Sequence, residues 1–375
     1  MNTDDRCGMA LFALAACVSP VAAQGATTDS PAVRPEPIPA DVRFDVMKTA
    51  RDPIAFDMFD FGDEYDAVRA AWIDGDPKRL IAKNPKRVVE FADRWIAAHP
   101  RSHVGHGLKY LAWVEIGRNR SEANDTVSAA VKALEQTPEE LGLFFNRGVF
   151  AHADVGEYQT ALMNLVPMLP AGREVAPLRS AHIRALLGCG KGKEAAASNR
   201  NLVAEFRNDP AALLDFAKAI CESEHGAPMA DIARAAIAAV RSVETVDALE
   251  LDMLEYLILY RFDREFRRAR ELGQKIAARR RGMSLNNWVW QLMVRRATEG
   301  RYEPLALVCA EVMLADDGLS PEGRDTASLA LFLNGRLDDA IREQERTYAE
   351  YGPGDFVLIR LEMFKALRDA RSRKR

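Results

Sequence analysis

Three of the histidines in this chain lie close together, at His99, His103 and His106. His103 and His106 are three residues apart at the start of a predicted helix, so their side chains share a face. His99 ends the preceding helix, just before Pro100. Three imidazoles at such a turn could hold zinc or copper, if a fourth ligand or a water completed the site. No fourth ligand is obvious nearby, and the other interpretation is a polar turn with surface histidines, so no metal is assigned.

Three aspartates repeat at intervals of three residues among aromatic side chains, at Asp57, Asp60 and Asp63. This spacing is compatible with a sugar or calcium site, and the alternative is an acidic, solvent-facing cap. The nearest glycine-rich candidate, Gly188 to Lys193, lacks the Ser or Thr that follows the lysine of a phosphate-binding loop. Signatures of serine hydrolases, zinc proteases and dinucleotide-binding folds are missing. We therefore predict no catalytic residues, no cofactor and no enzymatic activity.

A turn-forming position recurs along the chain at intervals of 34 to 40 residues. The positions are Gly117, Gly156, Gly190, Gly226, Tyr260, Gly300 and Gly335. Each lies between two stretches whose apolar residues have helical spacing, which is the pattern of helix hairpins stacked in series. A repeat of this kind offers a binding surface built from several helices.

The chain shows helix signals and almost no strand signal. No stretch of Val, Ile and Thr alternates convincingly with polar residues, as a half-buried strand would. Prolines stand where new helices are predicted to begin, at Pro100, Pro138, Pro210 and Pro321. Asp209 and Ser320 precede two of these prolines and have the residue types of helix N-caps. The fold class is therefore predicted to be all-α.

The turn that begins at Gly335 carries a family resemblance. Gly335 to Ala340 (GRLDDA) resembles the central turn of a tetratricopeptide repeat. There Gly allows the tight turn, the apolar residue seats the second helix, and Ala lets two helices approach closely. Gly156 to Ala161 matches equally well, and Gly190 to Ala195 matches at Gly and Ala. The turns at Tyr260 and Gly300 keep an aromatic residue but lose the Ala, and the family's Trp and second Gly are largely missing.

The resemblance covers residues 85–351 and implies a right-handed α-α superhelical solenoid of about seven or eight helix hairpins. In the family that it resembles, first-helix residues at fixed distances before each turn line the concave face. The matching positions here are Asn146, Arg184, Glu250, Asn287, Trp290 and Asp325. Polar and aromatic side chains at these positions suit the capture of a peptide or a protein partner. Trp288 and Trp290 are two residues apart on a helix, so one of them is predicted at an edge or in the groove.

The first 23 residues have the features of a cleavable signal peptide. An apolar run from Gly8 to Val18 is followed by Ser-Pro and by small residues that suit cleavage before Gln24. The residues before the run are not positively charged, which departs from the usual pattern. The alternative is acylation of Cys17, because Leu14 to Cys17 resembles a bacterial lipobox. The predicted location is the periplasm or the exterior, with a membrane-anchored lipoprotein as the alternative.

Composition divides the rest of the chain into segments. Residues 24–40 form a Pro-rich linker, and residues 41–84 form an acidic and aromatic N-terminal capping segment. Residues 85–351 hold the helical repeats. Residues 352–375 form a C-terminal capping helix with a basic tail.

The net charge of −4 gives no reason to expect a nucleic-acid partner. The charge is nevertheless uneven: residues 57–76 hold seven acids and one Arg, and residues 261–281 hold nine bases and three acids. Such runs are typical of solvated helix faces, and the alternative is docking to an acidic partner or to the chain's own acidic segment. No stretch is long and apolar enough to predict a transmembrane helix.

Two hypotheses of function follow from these observations. The first is a non-enzymatic helical-repeat scaffold of the cell envelope that binds a protein or peptide partner on its concave face. The second is a metal-dependent binder or enzyme that uses His99, His103 and His106. The first depends on the repeat and the export signal, and the second depends on local clustering alone.

Overall fold

The structure, a computed structural model, describes residues 37–50, 85–116, 120–151, 157–172, 174–295, 300–352 and 355–374. Within these ranges the chain folds into helices and contains no β-strand, so the predicted all-α class is confirmed. The predicted signal peptide, Cys17, most of the Pro-rich linker and the three aspartates of residues 57–63 lie outside the described residues.

Each helix is short, and several continue into tighter or wider helical turns. Up to residue 172 the helices are α1 (Ala40–Ala50), α2 (Pro85–Ala98), α3 (His103–Ile116), α4 (Arg120–Leu134), α5 (Pro138–Leu143), α6 (Tyr158–Leu165) and α7 (Leu169–Gly172). α5 continues into a π-helical turn, Phe144–Gly148, and a 3-10 turn, Val149–Ala151; a second 3-10 turn, Val166–Met168, joins α6 to α7.

The remaining helices run to the C-terminal end of the described residues. They are α8 (Ala176–Gly188), α9 (Gly192–Ser198), α10 (Leu202–Glu205), α11 (Pro210–Cys221), α12 (Ala230–Val240), α13 (Ala248–Leu257), α14 (Phe266–Ala278), α15 (Gly282–Val294), α16 (Glu303–Leu314), α17 (Pro321–Leu333), α18 (Leu337–Tyr351) and α19 (Asp355–Lys374). A 3-10 turn, Ala227–Met229, precedes α12, and a π-helical turn, Ile258–Phe262, extends α13.

Helix starts follow the local sequence signals. Pro138, Pro210 and Pro321 occupy the first turn of α5, α11 and α17, where a missing backbone N–H costs nothing. The side chain of Asp209 accepts a hydrogen bond from the backbone N–H of Ala212 at 2.9 Å. Ser320 accepts one from Gly323 at 3.2 Å. Both predicted N-caps are therefore confirmed.

Helices that are neighbours in the chain pack against each other. Close pairs include α2 with α3, α3 with α4, α11 with α12, α13 with α14, α15 with α16, and α17 with α18. The first helices of consecutive pairs also touch, as α5 with α8, α8 with α11, α11 with α13, and α15 with α17. α13 and α15 do not pack closely against each other. The described part of the chain is thus an array of helix pairs with one widened step.

Left-handed glycines lie between the two helices of several pairs. Gly190, Gly300 and Gly335 have φ of 73°, 80° and 77°, a backbone conformation that favours glycine. The prediction of a turn at Tyr260 is wrong, because Tyr260 lies inside the π-helical turn that extends α13. The chain turns later, around Arg264, which has φ of 58°. The predicted turns at Gly117 and Gly156 lie outside the described residues.

Two apolar clusters form the core, and α8 belongs to both. Leu178, Ala181 and Ala185 pack with the helices before α8, while Ile183 and Leu187 pack with those after it. α8 is buried on opposite faces, and its buried residues include the polar side chains Arg179, Ser180 and His182, so its sequence shows little helical amphipathicity. This helix connects the two halves of the described repeat array.

α1 packs against α19, at the far end of the chain. Val46, Met47 and Ala50 are buried in the same cluster as the apolar residues of α19. Arg43 donates a hydrogen bond to Glu303 at 2.9 Å, at the start of α16. This helix belongs to the predicted N-terminal capping segment, of which residues 51–84 lie outside the description. The described part of that segment therefore covers the C-terminal helices.

A buried polar network ties α17, α18 and α19 together. Arg360 donates to Asp325 at 2.8 Å, and both side chains are buried. The amide of Gln344 donates to Asp325 at 2.9 Å and to the carbonyl of Val357 at 3.3 Å. Because each partner satisfies another, the charges are tolerated inside the protein.

Candidate functional site

A pocket of about 350 Å³ lies where the widened step separates α13 from α15. α11, α13 and α15 contribute most of its wall, and the loop before α16 contributes Tyr302. The lining residues are Lys218, Glu222, Asp247, Leu249, Glu250, Met253, Leu254, Arg280, Trp288, Gln291, Leu292, Arg295 and Tyr302. Three consecutive helix pairs therefore share one concavity, with buried Leu254 and Leu292 among its apolar residues.

Most of the charged side chains in this pocket already have partners. Lys218 and Glu250 form an ion pair with their nitrogen and oxygen 2.6 Å apart. The hydroxyl of Tyr302 donates to Glu222 at 3.1 Å. Burial, together with the neighbouring Glu222 carboxylate, holds the pKa of Tyr302 well above its usual value, so the hydroxyl keeps its proton. The carboxylate of Asp247 caps α13 by accepting from the N–H of Leu249 at 2.9 Å.

Arg280 and Arg295 differ from the other charges of the pocket. The guanidinium of Arg280 lies 5.3 Å from the ring centroid of Trp288, within the range of a cation–π contact. Its Nε atom is buried and has no hydrogen-bond partner. Neither arginine has a carboxylate partner among the described residues. The pocket therefore presents an aromatic face beside two guanidinium groups that the described chain does not neutralise.

Two of the predicted groove residues belong to this pocket or its border. Glu250 lines it and pairs with Lys218. Arg184 lies 3.3 Å from Asp215 and 4.0 Å from Glu222, so it bridges α8 to the C-terminal end of α11. The structure places both side chains on the faces where consecutive first helices meet.

The other four predicted groove residues are scattered. Asn146 donates to the carbonyl of Pro177 at 2.9 Å and joins the π-helical turn to α8. Asn287 is exposed on α15. Trp290 lies beneath Arg360, with the guanidinium 5.5 Å from the ring centroid, and Asp325 is buried against that same arginine. The structure therefore does not gather the six predicted residues into one site.

Sequence reasoning missed most of the pocket. Trp288, Gln291, Leu292 and Arg295 follow the helical spacing i, i+3, i+4 and i+7, so they form one face of α15. This spacing was a usable signal in the sequence. Nothing local shows that α13 stands away from that face, because the widened step depends on the packing of several helix pairs.

The three clustered histidines have roles within the fold. His103 is buried, and its Nδ1 lies 2.8 Å from Glu140, which also accepts the His103 backbone N–H at 2.7 Å. Burial alone would raise the pKa of Glu140, but the hydrogen bonds from His103 outweigh it and lower that pKa. His106 donates to the carbonyl of Pro100 at 3.3 Å, and burial lowers its pKa. His99 contacts the ring of Trp95, with centroids 4.6 Å apart.

No metal centre emerges from these positions. In the part of the chain that the structure describes, no group of three or more His, Cys, Asp and Glu side chains could hold a metal ion. Of the three cysteines in the described residues, Cys189 is half-buried, whereas Cys221 and Cys309 are buried, and burial raises the pKa of Cys309 to about 12.

A larger opening, of about 1000 Å³, lies where α5, α8 and α11 begin. Its charged lining residues are Glu139, Glu174, Glu205 and Asp209. Asp209 caps α11, and Glu205 lies 3.8 Å from Arg179. Acidic residues at helix starts stabilise those starts through the helix dipole, so they do not by themselves indicate a ligand.

Compared with known proteins, the chain matches no family model, no curated protein and no solved structure. None of the helices in the described ranges has the length and apolar character needed to traverse a bilayer.

Proposed function

We propose that this chain is a non-enzymatic helical-repeat scaffold that binds a segment of a protein partner in the pocket between α13 and α15. One observation carries the proposal: α11, α13 and α15 surround a single pocket that combines Trp288, the amide of Gln291 and two arginines without carboxylate partners among the described residues. Tryptophan and arginine are the side chains that most often dominate the energy of protein interfaces. An amide can in addition bond to a peptide backbone.

We also propose that the array of helix pairs forms a solenoid. Pairs packed in chain order, with left-handed glycines at their turns, support a right-handed superhelical solenoid that resembles tetratricopeptide repeats. In such a solenoid the first helices line the concave face, which is where α11, α13 and α15 would present the pocket. Small-angle scattering of the purified protein tests this part, because a compact, spherical particle would contradict a solenoid.

The proposed location is the cell envelope. It rests on the signal-peptide features of residues 1–23, with acylated Cys17 as the alternative form. Fractionation of the source cells and mass spectrometry of the mature N-terminus would distinguish a chain that begins at Gln24 from one that begins at a lipid-modified Cys17. An intact Met1 in the cytoplasmic fraction would contradict both forms.

Site-specific photocrosslinking tests the partner. A photoreactive residue replaces Gln291 in the pocket, and in the control it replaces Gln274, which is exposed on α14. In intact cells we expect a defined crosslinked protein from position 291 alone, lost when Trp288→Ala is added. The purified, identified partner should then bind the wild-type protein and not the Trp288→Ala variant. Equal products from positions 291 and 274 would rule the pocket out as the binding surface.

The metal-dependent alternative has a direct test as well. Stoichiometric zinc or copper in the purified protein, lost on His103→Ala or His106→Ala, would replace the scaffold proposal. A protein that keeps its partner while those two variants change nothing in its metal content would leave the scaffold proposal in place.

A further inference from the structure

The cations of the pocket indicate which kind of segment it takes, and this inference rests on the proposed function. Arg279 and Arg280 are adjacent in sequence but differ in their surroundings. Arg279 forms an ion pair with Asp252, whereas Arg280 is directed to Trp288 and has no carboxylate partner in the described residues. Arg270 of α14 likewise has a carboxylate partner, because its guanidinium nitrogen lies 2.9 Å from Glu311. In the basic run of residues 261–281, the four bases Arg267, Arg268, Arg270 and Arg279 thus have carboxylate partners, whereas Arg280 has none among the described residues.

The two arginines that lack a carboxylate partner among the described residues flank the C-terminal half of one face of α15. Arg280 lies over Trp288, in the middle of α15, and Arg295 directly follows the end of that helix. Seven residues separate Trp288 from Arg295, which corresponds to about 10 Å along a helix axis. Between them lie Gln291 and the buried Leu292. This face therefore presents one guanidinium group, then the amide of Gln291 and the apolar side chain of Leu292, and then the second guanidinium group.

The acids on the opposite wall do not neutralise this face. Glu250 is bound to Lys218, Glu222 accepts from Tyr302, and Asp247 caps α13. What remains for a ligand is positive charge along α15. A basic ligand would be repelled by this charge, and a neutral ligand would leave it without a counter-charge.

We propose that the pocket recognises an extended segment of a partner protein that carries two acidic side chains three residues apart, with an apolar or aromatic side chain between them. In a polyproline II chain the rise is about 3.1 Å per residue and the period is three. Residues i and i+3 therefore lie about 9 Å apart on the same face, which is close to the rise of about 10 Å between Trp288, which Arg280 contacts, and Arg295. Acids at i and i+2 span about 6 Å, and acids at i and i+3 of a helix span about 5 Å, so both spacings are shorter than that rise.

A free anion fits the face less well than such a segment. Phosphate or a single carboxylate can bind one guanidinium group, but it leaves the second without a partner and the ring of Trp288 uncovered. Charge complementarity at both ends, with aromatic contact between them, favours a polypeptide with side chains at fixed spacing.

Fluorescence anisotropy with designed peptides tests the spacing on the full mature protein. The probe is a fluorescein-labelled, C-terminally amidated peptide with the core Asp-Leu-Phe-Asp, flanked by Gly and Ser. Matched peptides carry Asn-Leu-Phe-Asn, or Asp-Phe-Asp with the acids two residues apart; inorganic phosphate serves as a competitor. We expect the first peptide to bind at least about tenfold more tightly than either matched peptide, and millimolar phosphate not to displace it.

Variants of the protein test the two cations. We expect Arg280→Gln and Arg295→Gln each to weaken binding of the Asp-Leu-Phe-Asp peptide by about tenfold or more. Arg267→Gln removes the same charge from α14, where the side chain is 93% exposed, and should change nothing. Unchanged circular dichroism and thermal midpoints establish that each variant is folded.

Three results would overturn the inference. Equal binding of the Asp and Asn peptides would remove the role of acidic side chains, and equal binding of the two spacings would remove the geometric argument. The third concerns the chain's own Asp57, Asp60 and Asp63, which have the same spacing. If replacing all three by Asn raised the affinity for the peptide more than about tenfold, the ligand would be this chain and not a partner. Specific photocrosslinking at position 291 alongside failed peptide binding would leave the proposed function standing and remove only this inference.

Discussion

Two tryptophans of α15 each lie beneath a guanidinium group, and the two contacts differ in their surroundings. Arg360 stands 5.5 Å from the ring of Trp290, is fully buried and pairs with Asp325. Arg280 stands 5.3 Å from the ring of Trp288, is half-buried and has no such pair in the described chain. Because the tryptophans are two residues apart on a helix, one contact faces α19 and the other faces the pocket.

The comparison shows that an arginine stacked on tryptophan is not in itself a sign of function. What separates a structural contact from a binding surface is whether the protein supplies the counter-charge. At Trp290 the fold provides Asp325, and Gln344 holds that carboxylate in place. At Trp288 the described chain provides no carboxylate, so the charge is available to a ligand. Substitutions at the two contacts test this difference.

The largest effect is expected at the buried pair. Arg360→Gln leaves Asp325 buried without its positive partner, and breaking such a pair typically costs about 3–5 kcal/mol. Arg280→Gln leaves no carboxylate unpaired and should lower the free energy of unfolding by no more than about 1 kcal/mol, the contribution expected of its contact with Trp288. Urea unfolding followed by circular dichroism measures both values. Equal losses for the two variants would erase the distinction between structural and available arginines.

A somewhat smaller effect on stability is expected at His182, a buried side chain that stays uncharged in the folded protein instead of forming an ion pair. Burial lowers the pKa of His182 from 6.5 to about 4, and the neighbouring Arg179 adds to this shift. The unfolded chain therefore binds a proton near pH 6.5, while the folded chain resists protonation until about pH 4. Stability from this group is complete above pH 6.5 and falls as the pH drops toward 4. At about 1.4 kcal/mol per pKa unit, the loss between pH 7 and pH 4.5 is about 2–3 kcal/mol.

Urea unfolding across this pH range measures the slope. His182→Gln should flatten the stability profile between pH 6.5 and pH 4.5, because it removes the titrating group. His225→Gln, at an exposed histidine, is the matched control and should leave the slope unchanged. A wild-type profile that rises as the pH falls through 6 would contradict the assignment.

Local signals in the sequence predict helix starts better than they predict sites. Asp209 and Ser320 cap helices because a cap needs only a backbone N–H three residues away, and the sequence contains both groups. The prediction of a turn at Tyr260 was wrong because a π-helical turn extends α13 beyond that residue, and no residue pattern in the sequence indicates this extension. All-helical class and the position of most turns thus follow from short-range chemistry.

The candidate site depends on contacts that are remote in sequence. The basic run of residues 261–281 looks uniform, yet Asp252 and Glu311 neutralise some of its members and leave Arg280 without a carboxylate. The packing of α1 on α19 brings Arg43 to Glu303, 260 positions away. A single sequence does not encode such choices locally, so the run was predicted as a whole, Arg280 was not singled out within it, and Arg295 lies outside it.

A smaller effect is expected from the ion pair on the opposite wall of the pocket. Lys218 and Glu250 are 2.6 Å apart, but their side chains remain 31% and 35% exposed. Exposed pairs of this kind contribute up to about 1 kcal/mol, because solvent screens them. Lys218→Met should lower the free energy of unfolding by less than about 1 kcal/mol, a difference that shrinks in 1 M salt. A loss of unfolding free energy near that of Arg360→Gln would mean that this ion pair is needed for the fold.

The last experiment isolates the two arginine–tryptophan contacts themselves. A double-mutant cycle between Arg280 and Trp288 removes each side chain alone and both together, so that the remainder is their mutual contact. For the half-exposed pair we expect a coupling of about 0.5–1 kcal/mol, whereas for the desolvated pair of Arg360 and Trp290 we expect about 2 kcal/mol. The Arg280–Trp288 coupling is then measured again with the acidic peptide bound, because the apolar side chains between its two acids would exclude water from the ring and should raise the coupling toward the buried value. If the coupling stays unchanged, the peptide does not reach Trp288, and the two arginine–tryptophan contacts are similar only in their geometry.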